Sequence, residues 1–313
     1  MKTKLILMSI FTFIAVTTLN AQLLDLIKSK VKDKAIDLAG NKLSKAISRD
    51  AITTNFKDCD SKNILPPTKF ATEKFVNLCA KEKTESGYFL KPGFYELKLK
   101  SFCLKAGTYG PSKGDGYLYA PVLGPKEKIV KNIIKNWSNH TEIPQSDIQT
   151  LLWAIVAKTK FKNMPPQMQA TALKLLSDSE VNLITTLGMD FVNQNDIQSV
   201  IGEFPRPVQL VLEAENKMRQ LFASNSYSYQ ELESIAMLAG LNTEKPEVLY
   251  GTWGLNPKGF YTSYYPNGYA QMVVKIYVPN TIKEVYYLPS DEVAVPSCTS
   301  SQRLAISDIT ICK

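Results

Sequence analysis

Ile148, Leu151, Leu152, Ile155 and Val156 follow one another at spacings of three, one, three and one, a rhythm that only an α-helix gathers onto one face. Trp153 and Ala154 lie between them, so the segment has almost no solvent-compatible surface. A helix of this composition must be packed by other elements, and the rest of the chain has to supply them. At 313 residues and 44% hydrophobic content there is material for about two globular domains with real cores.

Those elements are readable on both sides. KEKIVKNIIKNW places Ile129, Ile133, Ile134 and Trp137 on one helical stripe, and Ser146 with Asp147 is the expected N-terminal cap of the helix that follows. Further helices are expected around MPPQMQATALKLL, SDSEVNLITTLG, PRPVQLVLEAENKMRQLFA and SYQELESIAMLAG, separated by Pro, Gly and Asn signals. Upstream, Tyr95, Leu97 and Leu99 alternate as a strand with one buried face, which leads directly to Cys103 and a loop containing Gly107, Gly110, Gly114 and Gly116. No Gly-Lys-Ser/Thr follows these glycines, which argues against a phosphate loop. From Val248 the chain turns aromatic and β-branched, and Asn267-Gly268 is a hairpin signal. Its tyrosines serve cross-strand packing or line a glycan-binding face.

The expected fold class is α+β: an amphipathic N-terminal helix, a β segment with a Gly-rich loop, a central helical domain and a small C-terminal antiparallel β-domain. The expected boundaries are a signal peptide over 1–21, the amphipathic helix over 22–53, the β segment plus helical domain over 54–245, and the β-domain over 246–313. Lys2 and Lys4, the apolar run Leu5 to Val16 and Ala21 before Gln22 have the order of an export signal. Export to the periplasm, cell surface or extracellular space is therefore expected. The helix within 23–47 carries Lys between its apolar positions, which suits packing on its own domain or peripheral contact with a membrane or partner.

The formal net charge of +8 comes almost entirely from Lys, since Arg occurs only at 49, 206, 219 and 303. Base and phosphate recognition rely on the Arg fork, so nucleic acid is not an expected partner; a cell-surface polysaccharide or protein is. One His, no CxxC and no HExxH argue against a metal centre, and no cofactor motif is present. Close acidic pairs at Asp178 and Glu180, Glu213 and Glu215, and Asp291 and Glu292 read as solvated charges. Five cysteines are an odd number for an oxidising compartment. Bridges Cys59 to Cys79 and Cys298 to Cys312 would close local loops and leave Cys103 over; a Cys79 to Cys103 bridge with Cys59 free is the alternative.

Two chemistries suit a free Cys103. His140 could activate it in a Cys-His hydrolase or acyltransferase, or its thiol could condense with the Gln149 carboxamide to an internal thioester. Trp153 stands four residues after Gln149, one helical turn away on the same flank. The segment Gln149-Thr150-Leu151-Leu152-Trp153 resembles the TQxAIW motif in the thioester domains of bacterial surface adhesins. That resemblance covers about 60 residues and implies a Cys on a strand, a connecting helix, then a buried helix begun by the Gln. Ile148 and Leu151 depart from the motif's Thr and Ala. It implies a binding or adhesion protein that attaches covalently, with Cys103 and Gln149 as the reacting pair. Trp153, with Tyr109, Asp115 and Tyr117 of the Gly-rich loop, is an expected ligand contact.

Overall fold

The computed structural model describes residues 50–112, 114–202 and 204–312. The expected signal segment and nearly all of the expected N-terminal helix lie outside them. Residues 50–53, the last positions assigned to that helix, are not helical. They are tied down instead by Arg303, whose buried guanidinium donates to the carbonyls of Ile52, Thr54 and Leu104.

The fold is α+β, and Asp50–Lys313 forms one compact unit. Thirteen strands are present among the described residues: β1 Ile64–Leu65, β2 Val76–Asn77, β3 Tyr88–Leu90, β4 Gly93–Cys103, β5 Thr108–Tyr109, β6 Tyr117–Ala120, β7 Met237–Leu238, β8 Trp253–Leu255, β9 Tyr261–Pro266, β10 Gln271–Val278, β11 Val285–Tyr287, β12 Val293–Pro296 and β13 Leu304–Thr310. Nine of them make the main sheet, in the order β1-β8-β9-β10-β4-β13-β12-β6 with β2 alongside β4. All its pairings are antiparallel except β2 with β4. This corrects the boundary expected at 245/246. The C-terminal strands do not form a domain of their own, because β4 from the first half lies between β10 and β13, and β1 and β6 pair with the outer strands β8 and β12. β4 pairs with β10 from Gly93↔Val278 to Lys100↔Gln271 and with β13 at Cys103↔Leu304.

The hairpin joining β9 to β10 turns where Asn267-Gly268 predicts, with Gly268 at φ +66. Tyr277 stacks between Tyr261 at 6.1 Å and Phe94 at 4.8 Å, its direct partners on the neighbouring strands. Cross-strand packing thus accounts for these rings. In the core of the sheet, Glu292 accepts hydrogen bonds from Asn256, Tyr264 and Tyr287. Burial outweighs those donors and pushes its carboxyl up to about 8.

Seven α-helices are present among the described residues: α1 Glu127–Trp137, α2 Gln145–Val156, α3 Pro166–Leu175, α4 Asp178–Thr186, α5 Gln194–Ile201, α6 Arg206–Ser224 and α7 Tyr229–Ala236. α5 has no counterpart in the sequence reading; it is short, and Asn193 caps it by accepting from the Asp196 N–H. α2 is the central element. It touches α1, α3, α6, α7 and β4, and every residue from Ile148 to Val156 is buried. A helix enclosed on all sides can afford no charge there; its two polar residues, Gln149 and Thr150, both have partners. The helix begins at Gln145 after Pro144, two residues earlier than a Ser146 cap would set it.

The disulfide differs from both expected arrangements. Cys79 is bonded to Cys312, with Cα atoms 5.7 Å apart, while Cys59, Cys103 and Cys298 are free. The cause is a meeting of strand ends. β2 runs parallel to β4 and passes its last ladder bond from Leu78 N–H to Glu96; β13 runs antiparallel along the same edge and ends with Ile311 N–H on Lys98. The two chains therefore arrive head to head, and the next residue of each is a cysteine. Local loop closure, the basis of the expected pairs, has no part in it.

Candidate functional site

β4 is longer than the hairpin beside it. Ser101 still donates its N–H to Ala270, but β10 and its turn extend no further, and Cys103 points its N–H and C=O toward the same open edge. Gln149 fills that edge. Its Oε1 accepts from the Cys103 N–H at 2.8 Å, and its Nε2 donates to the Cys103 carbonyl at 3.0 Å. One turn earlier, Gln145 donates to the carbonyls of Ser101 and Ala270 at 3.2 and 2.7 Å. The two glutamines of α2 thus continue the sheet where the strand partner is missing. Cys103 and Gln149 are 0% and 1% exposed.

The Cys103 Sγ lies against the Lys105 carbonyl at 3.0 Å, with the Lys105 N–H at 3.5 Å. Burial pushes the thiol up to about 11. The Lys105 N–H, the Trp153 indole and the Arg303 charge offset this only in part. Trp153 is fully buried, with Tyr229 at 5.5 Å and Tyr269 at 6.0 Å between ring centroids. The hydroxyls of those tyrosines are joined at 2.7 Å, and Tyr269 donates to Glu233. Beside this group, a surface cleft of about 220 Å³ is bounded by α2, α3 and the Tyr227–Tyr229 segment, with Asp147, Thr150 and Tyr229 in its wall.

Of the residues expected to act, Cys103, Gln149 and Trp153 come together. His140 does not join them: its ring nitrogen pairs with Glu142 at 3.3 Å, with the side chain 38% exposed, and the charges acting on the Cys103 thiol are those of Arg303 and Lys105. Asp115 and Tyr117 are buried; Asp115 accepts from Ser297 and the Cys298 N–H and so fixes the loop from within. Tyr109 is half-buried in a short parallel pairing of β5 with β7. Gly107, at φ +68, and Gly116 admit no other residue, since a Cβ would meet the Leu210 carbonyl oxygen at 2.5 Å or that of Leu249 at 2.4 Å. The expected disulfide cysteines Cys59 and Cys298 carry thiols that face carbonyls of Leu118 and Glu244.

Gln145 and Lys105 escaped the sequence reading. A Gln-x-x-x-Gln spacing on one helical flank was a usable signal for the first; nothing in the sequence marks Lys105. Among the described residues no group of three or more His, Cys, Asp and Glu could hold a metal ion, and no helix is long and apolar enough to cross a membrane. Comparison with protein families, characterised proteins and solved structures finds no match to the chain.

Proposed function

We propose that Cys103 and Gln149 condense to an internal thioester, and that the chain is an exported binding or adhesion protein that uses this bond to attach covalently to a target at the cell envelope or beyond it. The observation that carries the reading is the pair of hydrogen bonds between the Gln149 carboxamide and the backbone of Cys103. They hold the electrophilic carbon at the backbone of Cys103, a residue with a nucleophilic side chain. The Cys103 N–H on Oε1 polarises the carbonyl in the direction that attack requires. The sulfur rests against the Lys105 carbonyl at 3.0 Å, so bond formation requires it to leave that contact.

The atoms balance without a redox partner. Sγ adds to Cδ of Gln149, the C–N bond breaks, and the nitrogen leaves as ammonia with the thiol proton. An incoming amine or hydroxyl later displaces the sulfur, forming an amide or ester at Gln149 and returning the Cys103 thiol. Both residues are buried, which protects such a bond from water, and a surface cleft lies along the same helix at Asp147 and Thr150. The long-range Cys79–Cys312 bridge fits an oxidising compartment. The Cys-His hydrolase gains nothing from the position of His140.

Incubation of the purified chain with a biotinylated primary amine tests the reading. Peptide mapping should recover the amine on Gln149, and Cys103→Ala should abolish its incorporation. An untagged Gln149 in the wild-type chain, with a freely titratable Cys103, would contradict it.

A further inference from the structure

The cleft of about 220 Å³ between α2, α3 and the Tyr227–Tyr229 segment has a wall whose hydroxyl hydrogens are mostly committed. The Thr150 hydroxyl donates to the Ser146 carbonyl at 2.7 Å, the Thr171 hydroxyl to the Gln167 carbonyl at 3.0 Å, and the Ser146 hydroxyl to the Asp147 carboxylate at 3.4 Å. Tyr269 gives its one hydroxyl hydrogen to Glu233, so the 2.7 Å contact between the oxygens of Tyr229 and Tyr269 uses the hydrogen of Tyr229. Each of these four wall oxygens therefore offers a ligand only lone pairs. Among the lining side chains, the Tyr227 hydroxyl and the exposed Gln167 amide keep hydrogens to donate. Asp147 is the one charged side chain in the wall and is half-buried. No lysine or arginine among the described residues forms an ion pair with it.

We propose that this cleft is a binding site for a primary alkylammonium group, the head of a lysine side chain or of a free amine. An ammonium carries three donors and no acceptor, the complement of a wall of acceptors around one unpaired carboxylate. A sugar hydroxyl needs donors from the wall as well as acceptors, and an anionic ligand needs donors and is repelled by Asp147, so the wall discriminates against both. The aromatic rings of Tyr227 and Tyr229 in the same wall attract a cation through their quadrupoles. Met168, buried in the wall, and the Thr171 methyl give an alkyl stem apolar contact. The volume is below the roughly 300–1,000 Å³ of drug-sized sites and suits a chain of a few carbons with one polar end. Binding here is non-covalent and does not require the thioester. Its use to the protein, holding an amine-bearing target beside the helix that carries Gln149, rests on that reading and favours an amine over a hydroxyl as the attacking group.

The test uses the full chain carrying Cys103→Ala, in which no thioester can form, so that its outcome is independent of that bond. The NMR shifts of the Thr150, Met168 and Thr171 methyl groups are followed during titration with n-butylammonium, with N-acetyl-lysine methylamide, and with butan-1-ol and methyl glucoside as uncharged controls. The ammonium probes should move these methyls with an affinity at least on the order of 10-fold above that for butan-1-ol, and Asp147→Asn should weaken them by on the order of 10-fold. Tyr227→Leu should weaken them by about 2- to 5-fold. A response to either ammonium probe supports the site, and the tighter of the two tells a protein lysine from a free amine. The comparison of butylammonium with butan-1-ol needs no substitution in the cleft, so it decides even where Asp147→Asn disturbs the first turn of α2. Equal binding of butan-1-ol, a response to methyl glucoside alone, or no response to either ammonium probe would overturn the proposal. Each of those results leaves the thioester to be judged by its own mass, and a chain without the thioester leaves the ammonium site to be judged by these titrations.

Discussion

Gln149 bonds to both backbone polar groups of Cys103, at 2.8 and 3.0 Å, from the stretch of α2 in which every residue from Ile148 to Val156 is buried. The contact has a structural use, since it closes the ladder of β4 where β10 stops. It has a chemical use in the proposed thioester, since it holds a carboxamide carbon next to a thiol. The two uses can be separated. In a Cys103→Ala background, where no bond can form, Gln149→Ala leaves a buried N–H and a buried C=O without partners. That should cost about 2–4 kcal/mol, read as a lower midpoint of urea unfolding. A change below 0.5 kcal/mol, on the order of experimental resolution, would show that the ladder contact does not contribute to stability.

The disulfide makes a second prediction. Non-reducing peptide mapping should recover Cys79 linked to Cys312 and leave Cys59 and Cys298 as thiols. The closed segment spans 233 residues, so Cys312→Ser should lower stability by about 5 kcal/mol in the chain-entropy account. Recovery of Cys298 bonded to Cys312 would contradict the meeting of β2 and β13 along β4.

A third concerns pH. The Glu292 carboxyl is held up at about 8 in the folded chain by burial and titrates near 4.3 when unfolded, about the ordinary value. Between those values the folded state holds a proton that the unfolded state has lost. Stability from this group is therefore complete below about pH 4 and falls as the pH rises toward 8. Glu292→Gln should flatten the dependence of the melting temperature on pH between about 5 and 8, even though the amide replaces one acceptor among three donors and lowers stability at acidic pH. A slope unchanged by the substitution would exclude Glu292 as its source.

Much of the helical layer is legible in the sequence because its signals are local. The stripes of α1 and α2 lie where 3.6-residue spacing puts them, and the Asn267-Gly268 turn sets the β9–β10 register. What is not legible is the pairing across the chain. Nothing local in FYELKLKSFC says that its neighbours are Gln271–Val278 on one edge and Leu304–Thr310 on the other, so the sheet reads as two pieces and the domain boundary is drawn through it. The disulfide is hidden for the same reason, since its partners meet only after β2 and β13 are laid along β4. The spacing of Gln149 and Trp153 on one flank is visible in advance; that their flank faces the end of β4 is not.

A fourth prediction separates the two uses of Cys103. Because burial pushes its thiol up to about 11, the residue should resist iodoacetamide near neutral pH in a Gln149→Ala variant that has no thioester to hide it. His140→Ala should leave that resistance unchanged, since the imidazole pairs with Glu142. Fast alkylation at pH 7 that disappears on His140→Ala would restore the Cys-His enzyme.

The most direct test of the central claim is the intact mass of the purified chain under native, amine-free conditions, with its exact N-terminus and disulfide established. The account predicts a species lighter than the sequence by one ammonia, restored by hydroxylamine treatment to a product carrying that nucleophile on Gln149, and absent from both Cys103→Ala and Gln149→Ala. A wild-type chain at full mass, with Cys103 counted as a free thiol after unfolding, would contradict the thioester and leave Gln149 as the residue that closes the edge of β4.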